Sequence, residues 1–155
     1  MTLPAQTTEY QLREALAALE RGCIPLPLDG KKPIAEKWTL LSVPSEADVE
    51  KWVREGRNIG VRTGAISGIV VIDEDTAKGG NVAQAFADLG IPTIPATPTM
   101  LTGGWGKHYY FRLPKGVKLG NSASKLGKAI DVKADGGQVV YAGSIHPDTQ
   151  RIYAW

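Results

Sequence analysis

One stretch constrains the fold of this chain more than any other: residues 68–76, which read GIVVIDEDT. Residues 69–72 are all β-branched and apolar, a run that predicts a strand buried on both faces. Asp73, Glu74 and Asp75 follow where such a strand would reach the surface. Because side chains alternate along a strand, we expect Asp73 and Asp75 to share one face and Glu74 to point to the other.

Two carboxylates on one strand face favour a site for hard cations. Two residues along a strand rise about 6.6 Å, so Asp73 and Asp75 can close on a shared cluster of divalent ions. Carboxylates this crowded repel one another unless cations compensate their charge. The alternative is that the acids only solvate the end of the strand, and this motif by itself does not decide between the two.

Composition limits the class of protein. The chain has 155 residues, 43% of them hydrophobic and 22% charged, which suits one compact globular domain. The single cysteine, Cys23, excludes an internal disulfide, and with two histidines the chain lacks a Cys/His zinc set. No segment has the apolar length of a signal peptide or a membrane span, so we expect a cytoplasmic protein without membrane contact. A net charge of +2 neither indicates nor excludes nucleic-acid binding.

The remaining pattern predicts an α+β (α/β) chain in which helices alternate with strands and a run of strands follows. Helical spacing and cap signals predict helices over residues 7–22, 45–56 and 81–89. Strands are predicted over residues 23–28, 58–63, 69–72, 107–113, 129–133, 138–142 and 151–155. Residues 91–99 carry three prolines and predict an extended edge segment, and residues 119–128 predict a polar connection. The Asp-Gly-Gly sequence at residues 135–137 predicts a hairpin turn.

A third carboxylate can join the acids. Alternation in the predicted strand 129–133 puts Asp131 and Lys133 on one face. If Asp131 faces Asp73 and Asp75, the three carboxylates can hold two divalent ions, and oxygen ligands suit Mg²⁺ or Mn²⁺. Two such ions about 3.5–4 Å apart are suited to phosphoryl transfer.

A glycine-rich loop at residues 103–106 leads into the predicted strand that carries His108. Glycine lets backbone N–H groups approach a phosphate closely, and a histidine beside them can hydrogen-bond a triphosphate. Taken singly, such a loop is more often a simple turn and such a histidine a structural residue. The combination of acid pair, glycine loop with histidine and third acid is far more specific than its parts.

Together these segments resemble the bifunctional DNA primase/polymerase domain of the archaeo-eukaryotic primase superfamily, which occurs in phage and plasmid replication proteins. The resemblance extends from about Cys23 to the C-terminus and rests on IVVIDED, TGGWGKHYYFR and AIDVKADGGQVVYAGSIHP. The family's first motif, a pair of acids, matches Asp73 and Asp75. Its second motif, a small residue two positions before a histidine, matches Gly106-Lys107-His108, and its third, an apolar residue before an aspartate, matches Ile130-Asp131.

Two positions depart from the family pattern. Trp105 stands where relatives commonly have another glycine, which is expected to alter the nucleotide pocket. Gly106 stands where relatives have serine, so a hydroxyl contact is missing there. The zinc-binding module of many primases is also absent from the sequence.

The resemblance implies a fold and a reaction. The fold is a primase-like catalytic core, an N-terminal α/β unit packed on an RRM-like unit with a mixed or antiparallel sheet and the active site in the cleft between them. We expect residues 1–155 to form a single catalytic domain, monomeric when isolated and part of a longer replication protein. The reaction is nucleotidyl transfer, in which a 3′-hydroxyl attacks the α-phosphate of an incoming nucleoside triphosphate and pyrophosphate leaves.

Three functions compete on this basis. The first is a template-directed primase/polymerase whose Asp73, Asp75 and Asp131 hold two Mg²⁺ or Mn²⁺ ions and whose His108 contacts the triphosphate. Its partners would be single-stranded DNA, an NTP or dNTP, and a fused or associated helicase. The second is a DNA- or nucleotide-docking module of a replication initiator, for which the acids would be unnecessary. The third is a metal-dependent nuclease that uses the same acids.

Further nucleotide contacts are expected from a set of basic and polar side chains: Lys31, Lys32, Lys107, Arg112, Ser144 and His146. The two lysines beside the turn at Asp29 are equally typical of a solvated basic loop. For Ser144 and His146 the argument is the predicted hairpin, which would return their loop towards the strand of Asp131. The alternative is that they only cap the loop before Pro147.

Overall fold

Two antiparallel sheets and three helices form the fold that the computed structural model describes for residues 5–155. The helices are α1 (Ala5–Glu20), α2 (Glu46–Arg54) and α3 (Val82–Asp88). The strands are β1 (Pro25–Asp29), β2 (Lys32–Pro33), β3 (Asn58–Arg62), β4 (Ile69–Glu74), β5 (Thr99–Leu101), β6 (Lys107–Arg112), β7 (Ser122–Gly127), β8 (Ile130–Lys133) and β9 (Gln138–Val140). The first sheet has the order β2-β1-β3-β9 and the second β5-β6-β4-β8-β7. The predicted α+β class is confirmed.

Helices α1 and α2 pack together against the first sheet. As predicted, Ser45 begins α2 with a capping box, since its hydroxyl accepts from the Asp48 amide at 3.1 Å and the Asp48 carboxylate accepts from the Ser45 amide at 2.9 Å. Val49 and Val53 are buried in one cluster with Ile59 of β3. No helix among residues 5–155 combines the length and the apolarity needed to cross a bilayer.

Strand β4 lies at the centre of the second sheet and is buried on both faces, which confirms the prediction from its apolar run. Val71 belongs to the core cluster that joins the two sheets, together with Leu28 of β1 and Tyr110 of β6. Ile72 points the other way and packs with α3, where Phe86 is among its partners. The end of β4 is therefore fixed in position by packing on both sides.

The predicted hairpin between β8 and β9 is wrong. Strand β8 pairs with β4 and β7 in the second sheet, whereas β9 pairs with β3 in the first. Residues 135–137 therefore carry the chain from one sheet to the other. Thr63 holds this crossing, because its hydroxyl donates to the Ala134 carbonyl at 2.7 Å and its amide to the Gly137 carbonyl at 2.9 Å. Turn residues alone do not reveal which strand the chain pairs with next.

Two smaller predictions also need correction. Residues 119–128 contain the edge strand β7, whose small polar residues give no apolar alternation, and a register shift separates Ala123 from Gly127. Residues 151–155 form two isolated bridges, Ile152 with Ile145 and Ala154 with Leu101, in place of a regular strand.

Candidate active site

A row of side chains crosses the second sheet at one end of β4. Asp73 lies opposite His108 of β6 on one side and opposite Asp131 of β8 on the other. Directly opposed residues share a face, with Cβ atoms about 4.5–5.5 Å apart. The Nε2 atom of His108 is 3.4 Å from Oδ1 of Asp73. The sheet thus brings together three of the residues that the sequence singled out.

Asp75 lies just beyond β4 and begins a short 3₁₀ turn, Thr76–Lys78. Its Oδ1 accepts from the Lys78 amide at 3.3 Å, and its Oδ2 is 3.2 Å from Nζ of Lys78. Within residues 5–155, no three acidic, histidine or cysteine groups converge on one point. The backbone nevertheless keeps Asp75 next to the row, two residues after Asp73.

Each carboxylate in the row has a basic neighbour. Burial by itself would raise the pKa of Asp73, but the hydrogen bond and charge of His108, with the charges of Lys133 and Lys31, hold that pKa below its usual range. Asp131 accepts from the Ser124 amide at 3.2 Å, and its Oδ2 lies 3.6 Å from Nζ of Lys133. Asp73 and Asp131 therefore each lie within 4 Å of a basic side chain.

The row forms one wall of a cleft of about 570 Å³ between the two sheets. Val139 and Val140 of β9 and Lys31, from the turn between β1 and β2, come from the side of the first sheet. The residues that line the cleft also include Lys78, Gly104, Gly106, Ala123, Gln138, His146 and Tyr153. A cleft of this size with acids on one wall and lysines around it can admit a phosphorylated small molecule.

The glycine-rich loop at residues 103–106 closes the cleft, because it packs tightly against the end of β4 on one side and against the loop of His146 on the other. A Cβ atom at Gly106 would lie 2.3 Å from the Glu74 carbonyl oxygen, and one at Gly103 would lie 2.3 Å from Cβ of His146. The Thr102 hydroxyl accepts from the Gly106 amide at 2.9 Å and fixes the loop. Glycine is required at these two positions so that the loop can lie against the end of β4 and the His146 loop.

His146 presents a fixed donor to the cleft. Its Nδ1 accepts from the amides of Asp148 and Thr149 at 3.3 and 3.4 Å, so the proton of the neutral ring is on Nε2. Burial and then the charge of Lys31 lower the pKa of His146, which keeps the ring neutral near pH 7. The ring stacks on Tyr153 with centroids 6.1 Å apart, and its Nε2 lies beside the glycine loop. His146 is thus at the cleft, although the hairpin that suggested this does not exist.

The predicted contact between Ser144 and a nucleotide needs correction, because Ser144 is fully buried and does not line the cleft. Its hydroxyl accepts from the Ile59 amide at 2.9 Å and donates to the Ile59 carbonyl at 3.1 Å. The side-chain amide of Gln11 donates to the same oxygen at 3.3 Å. Ser144 therefore joins its loop to β3 and α1 and leaves no hydroxyl for a nucleotide.

Three basic residues named from the sequence also lie outside the cleft. Arg112 is exposed and lies opposite Ile69 at the far end of β6, about 13 Å along the strand from His108. Lys107 neighbours His108 in the strand and so points to the other face of the sheet. Lys32 is exposed in β2, and of this lysine pair only Lys31 lines the cleft.

The cleft residues that sequence reasoning missed include Lys78, Lys133 and Tyr153. The signal for Lys133 was its position two residues after Asp131, on the same strand face. Lys78 follows Asp75 by one short turn, which only the 3₁₀ geometry reveals. Tyr153 carried no signal, since its place depends on the long-range bridge between Ala154 and Leu101.

A protein-family model described as bifunctional DNA primase/polymerase, N-terminal, matches residues 14–155. A search of curated proteins found no match. The residues covered by the family model include every side chain that lines the cleft.

Proposed function

The chain belongs to the bifunctional DNA primase/polymerase family, and from this we propose that its cleft catalyses template-directed nucleotidyl transfer. In the proposed reaction, the 3′-hydroxyl of a primer or of a first nucleotide attacks the α-phosphate of an NTP or dNTP. The bond from the α-phosphorus to the bridging oxygen breaks, and pyrophosphate leaves. The observation that carries the proposal is the row His108–Asp73–Asp131 in the cleft between the sheets.

The carboxylates fit a pair of hard divalent ions by their chemistry and by their places on the backbone. Asp73 and Asp131 are direct cross-strand neighbours, and Asp75, two residues after Asp73, lines the same cleft. We propose that these three residues hold Mg²⁺ or Mn²⁺. Two such ions, when bound, stabilise the attacking and leaving oxygens of a phosphoryl transfer.

The other cleft residues are suited to binding the triphosphate. His108 lines the cleft beside Asp73, where its ring would lie close to a phosphate bound next to the carboxylates. The Nε2–H of His146 supplies a neutral donor, because its Nδ1 is already occupied by two backbone amides. Lys31, Lys78 and Lys133 bring positive charge to the same cleft. These contacts orient the α-phosphate towards the attacking hydroxyl.

The two other functions make poorer use of this arrangement. A docking module for DNA or nucleotides has no need for an acid row balanced by lysines, since carboxylates repel phosphates. A nuclease would use Asp73, Asp75 and Asp131 as well, but the family match favours synthesis over hydrolysis. Synthesis of DNA or RNA therefore gives a role to more of the cleft residues than either alternative does.

Primer extension and primer synthesis on single-stranded DNA test the proposal. Purified protein would be incubated with template, Mg²⁺ or Mn²⁺, and labelled NTPs or dNTPs, with Asp73→Asn as the inactive variant. Lys32→Gln is the matched control, because Lys32 lies outside the cleft. Template-dependent product from the wild type and from Lys32→Gln, but not from Asp73→Asn, supports the proposal. A template gel shift without product would indicate the docking module, and shortening of the template would indicate the nuclease.

The partners follow from the same proposal. Single-stranded DNA and a nucleoside triphosphate are the proposed ligands, and the family resemblance adds a fused or associated helicase. We also propose that residues 1–155 act as one monomeric catalytic domain. Sedimentation analysis of the isolated domain, with and without template, would test the monomer.

A further inference from the structure

An exposed tryptophan lies at the rim of the cleft. Trp105 is 65% exposed, and its neighbours Gly104 and Gly106 line the cleft while Trp105 itself does not. Its backbone has a φ of 69°, a left-handed conformation that is uncommon for a bulky residue. Trp105 thus combines backbone strain with little burial, so core packing does not explain the presence of this side chain. Strain of this kind is typical of functional sites.

Arg151 holds the tryptophan ring in place. The guanidinium carbon of Arg151 lies 3.7 Å from the centroid of the Trp105 ring, within cation–π distance. The backbone of Arg151 is itself fixed, since its carbonyl accepts from the His146 amide at 2.8 Å and packs against Gly103. One face of the indole is therefore covered by a positive charge, while 65% of the surface of Trp105 remains exposed to solvent.

We propose that Trp105 and Arg151 form a stacking platform for an unpaired base of the template strand as this strand leaves the cleft. An aromatic ring beside a cationic side chain is the combination that single-stranded nucleic acid binds, with a base on the ring and a phosphate near the charge. The proposed position of the incoming nucleotide is inside the cleft, beside the acid row and the lysines, whereas Trp105 lies outside the cleft. A continuing strand is the ligand that reaches both places. This inference rests on the proposed function.

Binding of single-stranded DNA tests the platform. Fluorescence anisotropy would measure the affinity of a labelled oligothymidylate for the wild type, Trp105→Gly, Trp105→Phe and Arg151→Gln. We expect Trp105→Gly to weaken binding at least about fivefold, the lower end of what one stacked base contributes, and Trp105→Phe to retain most of the affinity. Glycine suits the left-handed backbone, so the melting temperature of Trp105→Gly should equal or exceed that of the wild type.

Two controls distinguish a loss of base stacking from a general loss of positive charge and from misfolding of the variant. An abasic strand of equal length keeps the phosphates but lacks bases, and we expect the wild type and Trp105→Gly to bind it equally. Lys32→Gln removes an exposed cation away from the cleft, so Arg151→Gln should weaken oligothymidylate binding more than Lys32→Gln does.

The outcomes distinguish failure of the platform from failure of the proposed function. Equal oligothymidylate affinity of the wild type and Trp105→Gly, in protein that extends primers, would overturn the platform alone. Weakened dNTP affinity in Trp105→Gly with unchanged DNA affinity would assign the stacked base to the incoming nucleotide and also overturn it. Absence of any nucleotide incorporation by the wild type would instead overturn the proposed function.

Discussion

The neighbouring residues Asp73 and Glu74 offer the sharpest test, because they point to opposite faces of β4 and are assigned opposite roles. Asp73 faces the cleft beside His108. Glu74 is buried on the other face, where its Oε2 accepts from the Val82 amide at 2.7 Å and its Oε1 from the Thr76 hydroxyl at 3.0 Å. We expect changes at Asp73 to abolish activity and changes at Glu74 to lower stability.

The loss of stability at Glu74 can be worked out from these contacts. Glu74→Ala leaves the buried Val82 amide without its partner, which costs about 1–3 kcal/mol. The same hydrogen bond caps the first turn of α3, so it is counted once. With the loss of the separate contact to the Thr76 hydroxyl, we expect a total near 2–3 kcal/mol. For a chain of this length, that lowers the melting temperature by about 4–12 °C. Glu74→Gln keeps an acceptor for Val82 and should cost less than about 1 kcal/mol.

The effect on activity follows from the chemistry of Asp73. Asp73→Asn preserves the size of the side chain and an acceptor for His108, so the fold should change by less than about 1 kcal/mol. It removes a carboxylate from the proposed ion site, whose ions supply several kcal/mol to the transition state. Since each 1.36 kcal/mol is tenfold in rate, we expect at least about a hundredfold loss of nucleotide incorporation.

The assay combines thermal melting with primer extension at a temperature at least about 15 °C below the lowest melting point. Under these conditions every variant is folded, so a rate difference reports chemistry. Folded Glu74→Ala that loses as much activity as Asp73→Asn would refute the separation of roles. The same conclusion would follow from Asp73→Asn that retains incorporation within threefold of the wild type.

Three further predictions concern other parts of the cleft and its support. Ser144→Ala leaves the buried Ile59 amide without its 2.9 Å partner, so the free energy of unfolding should fall by about 1–3 kcal/mol; a weakened nucleotide affinity in folded protein would contradict its structural role. Gly106→Ala should reduce primer extension at least about tenfold, since its Cβ would lie 2.3 Å from the last carbonyl oxygen of β4, whereas Gly120→Ala, with open space around it, should leave the rate unchanged. In calorimetric titrations, His108→Ala should weaken binding of a nucleoside triphosphate more than binding of Mn²⁺; an equal loss of both would mean that His108 is a metal ligand or holds the fold.

The sequence predicted the parts of the site that depend on local pattern. The β-branched run of β4 predicted its burial, and alternation after this run predicted that Asp73 and Glu74 point to opposite faces, as their contacts with His108 and with the Val82 amide show. The cross-strand register that opposes Asp73 to His108 is a property of the assembled sheet. No local rule in either segment could have produced it.

Long-range pairing explains the failures as well. Residues 135–137 have the composition of a hairpin turn. The chain is instead directed across to β3 by Ala134, whose carbonyl accepts from the Thr63 hydroxyl and whose amide donates to the Asn121 side-chain oxygen. Ser144 follows that crossing, and its burial against Ile59 depends on which sheet β9 joins. In both cases the deciding partner lies far away in the chain, where periodicity and turn chemistry carry no information.

The pairing of β9 with β3 also has a consequence for how the chain folds during synthesis. Val61 of β3 is paired with Val139, so the first sheet stays incomplete until the last part of the domain has left the ribosome. Until then β3 has a free edge that can pair with other chains. Pairings between residues so far apart close slowly, because the loop between them must be ordered first. The first sheet is therefore completed late, and the nascent domain is most prone to aggregation just before β9 emerges.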